Sequence, residues 1–477
     1  MSDDTADIVY FAKQERVYPK HVNKGKYRRL KYIALVVLLG IYYLVPWIRW
    51  DRGPHAPDQA VLIDMASRRA YFFFIEIWPQ EVYFLTGLLI LGAVGLFFVI
   101  SLLGRIWCGY ACPQTVWTDL FLMTERWIQG DRNQRIKLDN SSWGFEKVWK
   151  KGLTHIVWIA IGLCTGGAWV FYFNDAPTLW DHIIHLDVPW SVGGWILGLT
   201  ASTYLMAGFA REQVCTYMCP YARFQSAMFD KDTLIIGYDA DRGEPRGKHR
   251  QGESWDGRGH CIDCSLCVQV CPTGIDIRDG LQMECIACGL CVDACNSVME
   301  KLHLPPGLIR YDTSRNQEAR RDSKLRSLVH KDALRILRPR TFYYSAVMGA
   351  VGAIMLYALL TRAELELHVQ HERNPLFVQL SNGDIRNSYT LKILNKTPQD
   401  RVYSLSVNGL SYSQLKIMGA ENMDMQHLPV FADSVGQYRV QMSAASADEL
   451  RQNVTFTITD VQSGVKDEYQ SVFVRGQ

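Results

Sequence analysis

Eight cysteines between positions 261 and 295 constrain this chain more than any other feature. They form two consecutive C-x2-C-x2-C-x3-C runs, one at 261–271 and one at 285–295. This spacing is typical of chains that hold two 4Fe–4S clusters, because a short loop wraps three corners of a cube and a distant cysteine closes the fourth. Pro272 follows the first run as in that pattern, whereas Asn296 stands where the second run would have its proline.

The pattern also predicts which cysteines share a cluster, since the fourth cysteine of each run crosses over to the other cube. Zinc or a set of disulfides is the alternative, but zinc sites use paired spacings and need no group of three close cysteines plus one. We therefore expect a ferredoxin-like domain at about 250–305. The ligand sets are Cys261, Cys264, Cys267 and Cys295 for one cluster, and Cys285, Cys288, Cys291 and Cys271 for the other.

Five apolar stretches reach the length of about 20 residues that crosses a bilayer. None is typical of a cleaved signal peptide, because a polar segment precedes the first and no small-residue cleavage site follows it. The sequence predicts an α-helical bundle with four spans within 32–210 and a fifth at 341–361. The stretches lie at about 32–50, 82–103, 153–173, 191–210 and 341–360.

The lysine and arginine content of the segments between spans indicates on which side of the membrane each segment lies, since cytoplasmic flanks are enriched in positive charge. Residues 11–32 hold eight basic residues against one acid, whereas 174–190 hold none and three aspartates. We expect a basic segment at 1–31 and the region 211–340 to lie inside, and 362–477 to lie outside. The inside is also the compartment that keeps thiols reduced. The basic flanks indicate topology and contact with membrane lipid, and no nucleic-acid motif accompanies them.

Four more cysteines form two matching pairs, each directly after a predicted span. Cys108 and Cys112 belong to C-G-Y-A-C-P at 108–113, and Cys215 and Cys219 to C-T-Y-M-C-P at 215–220. Since proline favours the first position of a helix, Cys112 and Cys219 are predicted N-caps, where the helix dipole lowers the pKa of a thiol. Soft thiolates favour Cu(I) over hard cations. This internal repeat indicates a metal or redox site on one membrane face.

Two alternatives stay open for these four cysteines. They could pack as small hydrophobic residues, or bind a third cluster, although the spacing lacks a C-x2-C core. Cys164, inside the third span, is interpreted as a packing residue. Metal binding is a minor interpretation for three histidines, His155, His182 and His185. Packing at strand edges and in loops is the main interpretation of four further residues, and a soft-metal relay is a minor one: Met418, Met423, Met425 and His427.

The chain has no haem attachment motif, dinucleotide fingerprint or Walker loop, so we do not expect it to take electrons directly from NADH. From position 363 the apolar pattern changes to an alternation of period two, beginning at 364–369. This predicts a small antiparallel sandwich at 362–477, with partner docking as its role. The other strands are expected at about 388–394, 401–407, 436–443, 453–458 and 469–475.

Over essentially its whole length the chain resembles the FixG/CcoG (Rdx) family of cbb3-type cytochrome c oxidase accessory proteins. The resemblance rests on the order of spans, the segment C-G-Y-A-C-P-Q-T-V-W-T-D at 108–119, the second cysteine pair, the eight-cysteine run and an immunoglobulin-like C-terminal domain. It implies reduction of Cu(II) to Cu(I) at the cytoplasmic side of a bacterial inner membrane. In that activity copper would be handled by Cys108, Cys112, Cys215 and Cys219.

The resemblance implies as partners a cbb3-type oxidase or its copper-delivery proteins, and a copper chaperone. The electron donor is left open between an unidentified cytoplasmic donor and the quinol pool, and a homodimer is left open as well. Two rival functions are a polyferredoxin-type quinol dehydrogenase subunit and a non-enzymatic oxidase assembly scaffold. The outer sandwich argues against the first. Whether the four paired cysteines form one site or two is also left open.

Overall fold

A computed structural model of the chain describes residues 16–53, 56–249, 253–321, 335–418, 424–445 and 449–475. The chain divides into two compact units. The first unit consists of Met1–Ile48 and Ala60–Ala353, and the second of Arg49–Gln59 and Ile354–Gln477.

Helices make up most of the first unit. The helices are α1 (Lys26–Leu44), α2 (Tyr83–Leu103), α3 (Ile106–Tyr110), α4 (Pro113–Gln129), α5 (Arg132–Asn140), α6 (Phe145–Phe171), α7 (Ala176–Ile184), α8 (Trp190–Thr203), α9 (Arg211–Gln213), α10 (Pro220–Ala227), α11 (Ala240–Gly243), α12 (Leu266–Gln269), α13 (Leu290–Lys301), α14 (Ser314–Arg321) and α15 (Pro339–Leu360). Two π-helical segments flank α9, and three 3-10 turns lie elsewhere: Tyr204–Ala210 and Val214–Met218, then Val45–Trp47, Pro79–Glu81 and Ile277–Asp279.

Five helical segments in the described residues are long and apolar enough to cross a membrane, which confirms the predicted five-span bundle. Their bounds are wider than the apolar runs in the sequence because the helices continue through polar residues at their ends. The fourth departs most, since its π-helical turns extend it past α8. The segments are Lys26–Trp47, Pro79–Leu103, Phe145–Phe171, Trp190–Met218 and Pro339–Leu360.

Both cysteine pairs lead into helices, as the prolines predict. Cys112 is the N-cap of α4 and Pro113 its first residue, and α10 begins at Pro220 directly after Cys219. Cys108 lies within the short helix α3. Gly104 makes the turn between α2 and α3 with φ of 59°, and a side chain there would meet the backbone oxygen of Leu234. The turn therefore requires glycine.

The eight-cysteine run is framed by a two-stranded antiparallel ribbon, β4 (Ile235–Tyr238) with β5 (Ile309–Asp312). We call residues 235–312 the cluster insert. The ribbon pairs the two ends of the insert, where the chain leaves the rest of the unit and returns to it. Its two strands lie outside the range 250–305 that the sequence predicts for the ferredoxin-like domain. Strands of four residues are too short to show a clear alternation pattern, so sequence analysis did not find them.

The basic segment before the first span packs on the cluster insert. Val22 joins a small apolar core with Ile286 and Leu290, and the backbone NH of Lys20 donates to the carbonyl of Gln269 at 2.8 Å. These contacts place residues 20–22 against the insert.

Two basic residues at the start of α1 are buried in the protein, whereas the sequence suggested that the basic flank contacts lipid. Arg28 and Lys31 are both buried, and Asp119 of α4 lies 3.1 Å from the Arg28 guanidinium and 3.8 Å from the Lys31 ammonium. Their charge is satisfied inside the protein.

The second unit contains an antiparallel β-sandwich, and a separate three-stranded meander, β1 to β3, belongs to the first unit. One sandwich sheet has the order β10-β12-β8-β6, with β7 also paired to β8, and the other has β11-β9-β13-β14. The strands are β1 (Val61–Asp64), β2 (Arg69–Phe72), β3 (Ile75–Ile77), β6 (Leu365–His371), β7 (Val378–Gln379), β8 (Ile385–Asn395), β9 (Arg401–Asn408), β10 (Gln414–Ile417), β11 (Leu428–Val430), β12 (Ser434–Ala444), β13 (Arg451–Asp460) and β14 (Lys466–Val474).

The predicted sandwich is confirmed, and each strand expected from alternation is present. Tyr389, Leu391, Phe456 and Phe473 are fully buried between the sheets, as alternation requires for inward-facing positions. β7, β10 and β11 were not predicted because strands of two to four residues carry too little pattern.

Candidate functional site

Two cavities in the cluster insert bring the eight cysteines together in two groups. Each cavity is lined mainly by apolar side chains and sulfur. Cys267 borders both, so the cavities are neighbours. The first is lined by Cys261, Cys264, Cys267 and Cys295, and the second by Cys271, Cys285, Cys288 and Cys291. These are the two sets that the crossed spacing predicts.

The backbone around both cavities repeats one unusual conformation. Asp263 and Ala287, each directly before the second cysteine of a run, have φ of 50° and 51°. Ser265 and Gly289, each directly after that cysteine, have φ of 50° and 74°. Positive φ is uncommon outside glycine, and such turns orient successive backbone NH groups toward an anion or an iron–sulfur centre. The donor set and these turns fit 4Fe–4S clusters.

The cluster-lining thiols are poor anions in the absence of metal. Burial raises the pKa of Cys267 and Cys288 to about 11 and that of Cys285 and Cys295 to about 12. Because iron binds thiolates, loading a cluster must displace these protons and is favoured as the pH rises.

The loop of the first cysteine pair, residues 108–113, lies directly against the second cavity. A Cβ built on Gly109 would be 2.8 Å from the backbone oxygen of Ile286 and 3.0 Å from the Cα of Cys288. The hydroxyl of Tyr110 donates to the carbonyl of Cys288 at 2.9 Å. Cys108 packs against the apolar core that contains Ile286 and Cys288. The pair therefore shares a wall with one cluster cavity.

Arg105, three residues before Cys108, connects this loop to two other segments. Its buried guanidinium donates to the backbone oxygens of Met283 and Cys285 in the cluster insert and of Ala222 in α10. These bonds link the first pair, the insert and the helix that follows the second pair. Arg105 directly follows a span, and no local pattern in the sequence distinguishes it from other charged residues there.

The environment of Cys108 combines burial with one hydrogen-bond acceptor and one cation. Burial raises the pKa of Cys108 to about 11, with smaller contributions from the neighbouring thiols Cys112 and Cys219, against the lowering effect of Arg105. The Cys108 thiol donates to the Oε1 of Gln225 at 3.1 Å. Gln225 is buried on α10, so a residue after the second pair contacts the first pair.

The four paired cysteines gather in one region. Cys108 is within electrostatic range of Cys112 and Cys219, and Cys215 is within range of the other three. All four are partly buried and free of disulfides. Within the described ranges, no group of three or more His, Cys, Asp or Glu side chains is close enough to hold one metal ion. The thiols are thus collected without forming a closed metal cage.

The second pair, residues 215–220, has a looser surrounding than the first. Cys215 lies in the π-helical turns Val214–Met218, a conformation that is rare and occurs mostly at functional sites. Tyr217, the counterpart of Tyr110, is 62% exposed, and Met218 is also exposed.

The weaker candidates are spread over the molecule. Cys164 is exposed on α6. Met418 and His427 are exposed, Met425 packs against the sandwich core, and Met423 lies outside the described residues. His155 accepts or donates a hydrogen bond at 3.0 Å with the Tyr204 hydroxyl. Cys164, His155 and His427 belong to no metal-binding group of His, Cys, Asp or Glu side chains in the described part of the chain.

Comparison with known proteins identifies the family. The chain is 46% identical to the nitrogen fixation protein FixG of Rhizobium meliloti over 97% of its own length and 93% of that protein. The chain belongs to the FixG/Rdx family. Two further FixG/Rdx relatives come from Cereibacter sphaeroides: protein RdxB, 44% identical over 99% of this chain and 98% of the relative, and protein RdxA, 46% identical over 96% and 94%.

Family models match the three regions that carry the FixG/Rdx features. A 4Fe–4S dicluster domain matches residues 210–314, a 4Fe–4S binding domain matches 85–133, and the IG-like fold at the C-terminal of FixG matches 355–476. The 85–133 region contains two cysteines, Cys108 and Cys112. A solved FixG-related protein from Vibrio parahaemolyticus is 26% identical and covers 24% of this chain and 99% of its own, with a TM-score of 0.21.

These findings establish the general function of this FixG/Rdx member. It is a membrane protein, with five helices in the described residues that are long and apolar enough to cross a bilayer, and an iron–sulfur electron-transfer protein with an immunoglobulin-like C-terminal domain.

Proposed function

We propose that this FixG/Rdx protein reduces Cu(II) to Cu(I) at the thiols of Cys108, Cys112, Cys215 and Cys219. The observation that carries the proposal is the direct packing of the first cysteine pair on the loop that lines the second cluster cavity, through Gly109. We also propose that the eight cysteines of the insert ligate two 4Fe–4S clusters in the crossed sets described above. Copper is the substrate of this reaction, not a resident cofactor.

The four thiols have the chemistry that reduction of copper needs. Each Cu(II) takes up one electron to become Cu(I), and bound 4Fe–4S clusters would supply single electrons. Thiolates bind Cu(I) in preference to harder cations, so binding at these sulfurs makes reduction more favourable. Arg105 favours the thiolate of Cys108.

The open arrangement of the thiols suits a metal that must leave again. The four thiols come from two separate segments of the chain, so an incoming soft site can compete with them for Cu(I). Partly buried sulfurs also leave a path for an acceptor. A copper chaperone or a copper-delivery protein of the oxidase is the acceptor we expect.

We place the thiols and the cluster insert at the cytoplasmic face of a bacterial inner membrane. The basic segment before the first span, the first cysteine pair and the insert contact one another, so they share one face. Positive charge before the first span favours the inside for that face, and the reducing cytoplasm keeps free thiols intact. Five crossings then put the sandwich domain on the periplasmic side, where it would dock the cbb3-type oxidase.

Copper reduction by the purified, cluster-loaded chain tests the activity. Dithionite-reduced protein is mixed with Cu(II) under argon, and Cu(I) is measured with a colorimetric chelator after removal of excess dithionite. We expect about one Cu(I) per electron stored, and loss of most of this yield when Cys108, Cys112, Cys215 and Cys219 are all replaced by serine. The matched control is Cys164→Ser, which removes a cysteine far from the site.

The outcomes separate the candidate functions. Equal copper reduction by the four-serine variant and the Cys164→Ser control would contradict the copper proposal. No reduction in any form would favour an assembly scaffold. Counting clusters by visible absorption and electron spin resonance tests the ligand sets, since fewer than about eight irons per loaded chain contradicts two 4Fe–4S clusters.

A further inference from the structure

A large cavity lies beside the cysteine sites and is not used by the proposed copper chemistry. Its volume is about 540 Å³, within the range of small-molecule binding pockets. It lies between α4, the polar end of α6 and the π-helical turns of the fourth span. Its walls include Trp158 and Phe209, and Phe209 is 56% exposed. An aromatic cavity at the end of two spans is accessible to a lipid-soluble molecule.

The cavity is lined by four cations and three carboxylates, so its net charge is small. Lys147 donates to the backbone oxygens of Asp139 and Ser141 at 2.8 and 2.7 Å. The other three cations lie in short ion pairs, and the carboxylate of Glu212 adds a negative charge that disfavours a phosphate. A neutral ligand therefore fits the cavity better than a lipid headgroup. The ion pairs are Arg16 with Glu125, Arg211 with Glu125, and Lys151 with Asp139.

Two polar side chains in the cavity wall keep atoms available to a neutral ligand. His155 stacks on Phe209 with an interplanar angle of 11°, and its Nδ1 lies 3.0 Å from the hydroxyl of Tyr204. That bond leaves Nε2 as the second hydrogen-bonding atom of the ring. Glu212 is the lining carboxylate that forms no salt bridge with a described residue. Both side chains can accept a proton.

The cavity also adjoins the redox centres. Arg211 and Glu212 line it on one side and line a second, smaller cavity on the other. That smaller cavity is bordered by Cys215 and by Thr273 and Ile286, which also border the second cluster cavity. One layer of side chains, Arg211 and Glu212, thus separates the large cavity from the smaller one that Cys215 borders, and a second layer, Thr273 and Ile286, separates the smaller one from the cluster site.

We propose that the large cavity binds the head group of a membrane quinol, which donates the electrons for this protein. Oxidation of a quinol to a quinone breaks two O–H bonds and yields two electrons and two protons. His155 accepts one proton and Glu212 the other, and both protons pass to water. The two cysteine sets of the insert would each hold a 4Fe–4S cluster that takes up one electron, so a pair of one-electron carriers would match a two-electron donor. The fate of these electrons on copper rests on the function proposed above.

Menadione and its reduced form menadiol are the probes for this site. Binding of menadione is measured by quenching of tryptophan fluorescence in the detergent-solubilised full chain, and menadiol is then mixed anaerobically with the oxidised, cluster-loaded protein. The wild type is expected to bind menadione and to lose cluster absorbance with menadiol. His155→Gln and Glu212→Gln are expected to weaken binding and slow this loss by about tenfold each, the effect of one lost hydrogen bond or proton acceptor.

The control variant is His185→Gln, at the exposed end of α7, which is expected to match the wild type in both measurements. Dithionite bleaching gives the cluster content of each form, and rates are compared per cluster. Absence of menadione binding, or equal binding by the wild type and both cavity variants, overturns the proposal. So does binding of cardiolipin vesicles that the same variants weaken, because the cavity would then hold a lipid. Neither measurement contains copper, so failure here is distinct from failure of copper reduction.

Discussion

The two C-x3-C-P motifs have nearly the same sequence and very different surroundings. The first motif, residues 108–113, lies on a regular helix–turn–helix segment and packs by its backbone on the cluster insert. The second motif, residues 215–220, begins in π-helical turns and exposes its tyrosine. A repeat in sequence therefore does not give two equivalent halves of a site.

Under the proposed function, this difference gives the motifs different roles. The first motif is fixed to the cluster insert by Arg105, Gly109 and Tyr110, so it would be the half that receives electrons. The second motif supplies two more thiols from a more exposed segment, which would suit the proposed exchange of copper with a partner. The two halves meet where Gln225, after the second motif, hydrogen bonds with Cys108. Substitutions at matched positions test this division.

Arg105→Met is expected to have the largest effect. The arginine is 4% exposed, and its loss leaves backbone oxygens in three segments without their donor. We expect the free energy of unfolding to fall by about 3 kcal/mol, which lowers the temperature at which cluster absorbance is lost by roughly 9 °C. Arg29→Met, at an exposed position of α1, is the control and should change this temperature by about 1 °C at most. Equal shifts in the two variants would show that Arg105 does not anchor the first motif.

The variants Gly109→Val and Thr216→Val place valine at the same position of the two motifs. The valine side chain at 109 meets the backbone of Ile286 and Cys288, which cannot move as a flexible side chain does. We expect a loss of about 2 kcal/mol, or roughly 6 °C in the thermal loss of cluster absorbance.

Thr216→Val keeps the size of the side chain and removes one hydrogen bond to the carbonyl of Glu212. Its thermal midpoint is expected to stay within about 3 °C of the wild type. If the two valine variants lose cluster absorbance at the same temperature, the close approach at Gly109 has no special importance.

The comparison of the variants Tyr110→Phe and Tyr217→Phe is expected to give the smallest difference in thermal stability. The Tyr110 hydroxyl donates to Cys288, and its removal leaves that carbonyl without this partner, at a cost of about 1 kcal/mol or roughly 3 °C. The exposed Tyr217 should tolerate the change within about 1 °C. Thermal scans that follow cluster absorbance distinguish the two, and a larger shift at Tyr217 would reverse the roles assigned to the motifs.

The features that could be predicted from the sequence are those encoded by local patterns. The cysteine spacing, the five apolar runs and the alternation after position 363 each lie within short segments, so the cluster sets, the spans and the sandwich could be predicted. Arg105 and Gln225 were missed because their contacts lie across segments: Arg105 donates to Cys285, and Gln225 contacts Cys108. His155 was noticed as a weak metal candidate, whereas the structure places it in an aromatic cavity.

The sequence by itself determined which chemical groups this protein carries: cysteines in the spacing of iron–sulfur ligands, four more cysteines in two matching pairs, and helices long enough to span a bilayer. These properties depend on residue type and on spacing along a short stretch of chain. The tertiary structure alone decided that the first motif lies against the second cluster cavity, that the second motif exposes its tyrosine, and that an aromatic cavity lies behind Arg211 and Glu212, close to Cys215. Such contacts join residues more than a hundred positions apart, and packing, not local pattern, brings them together.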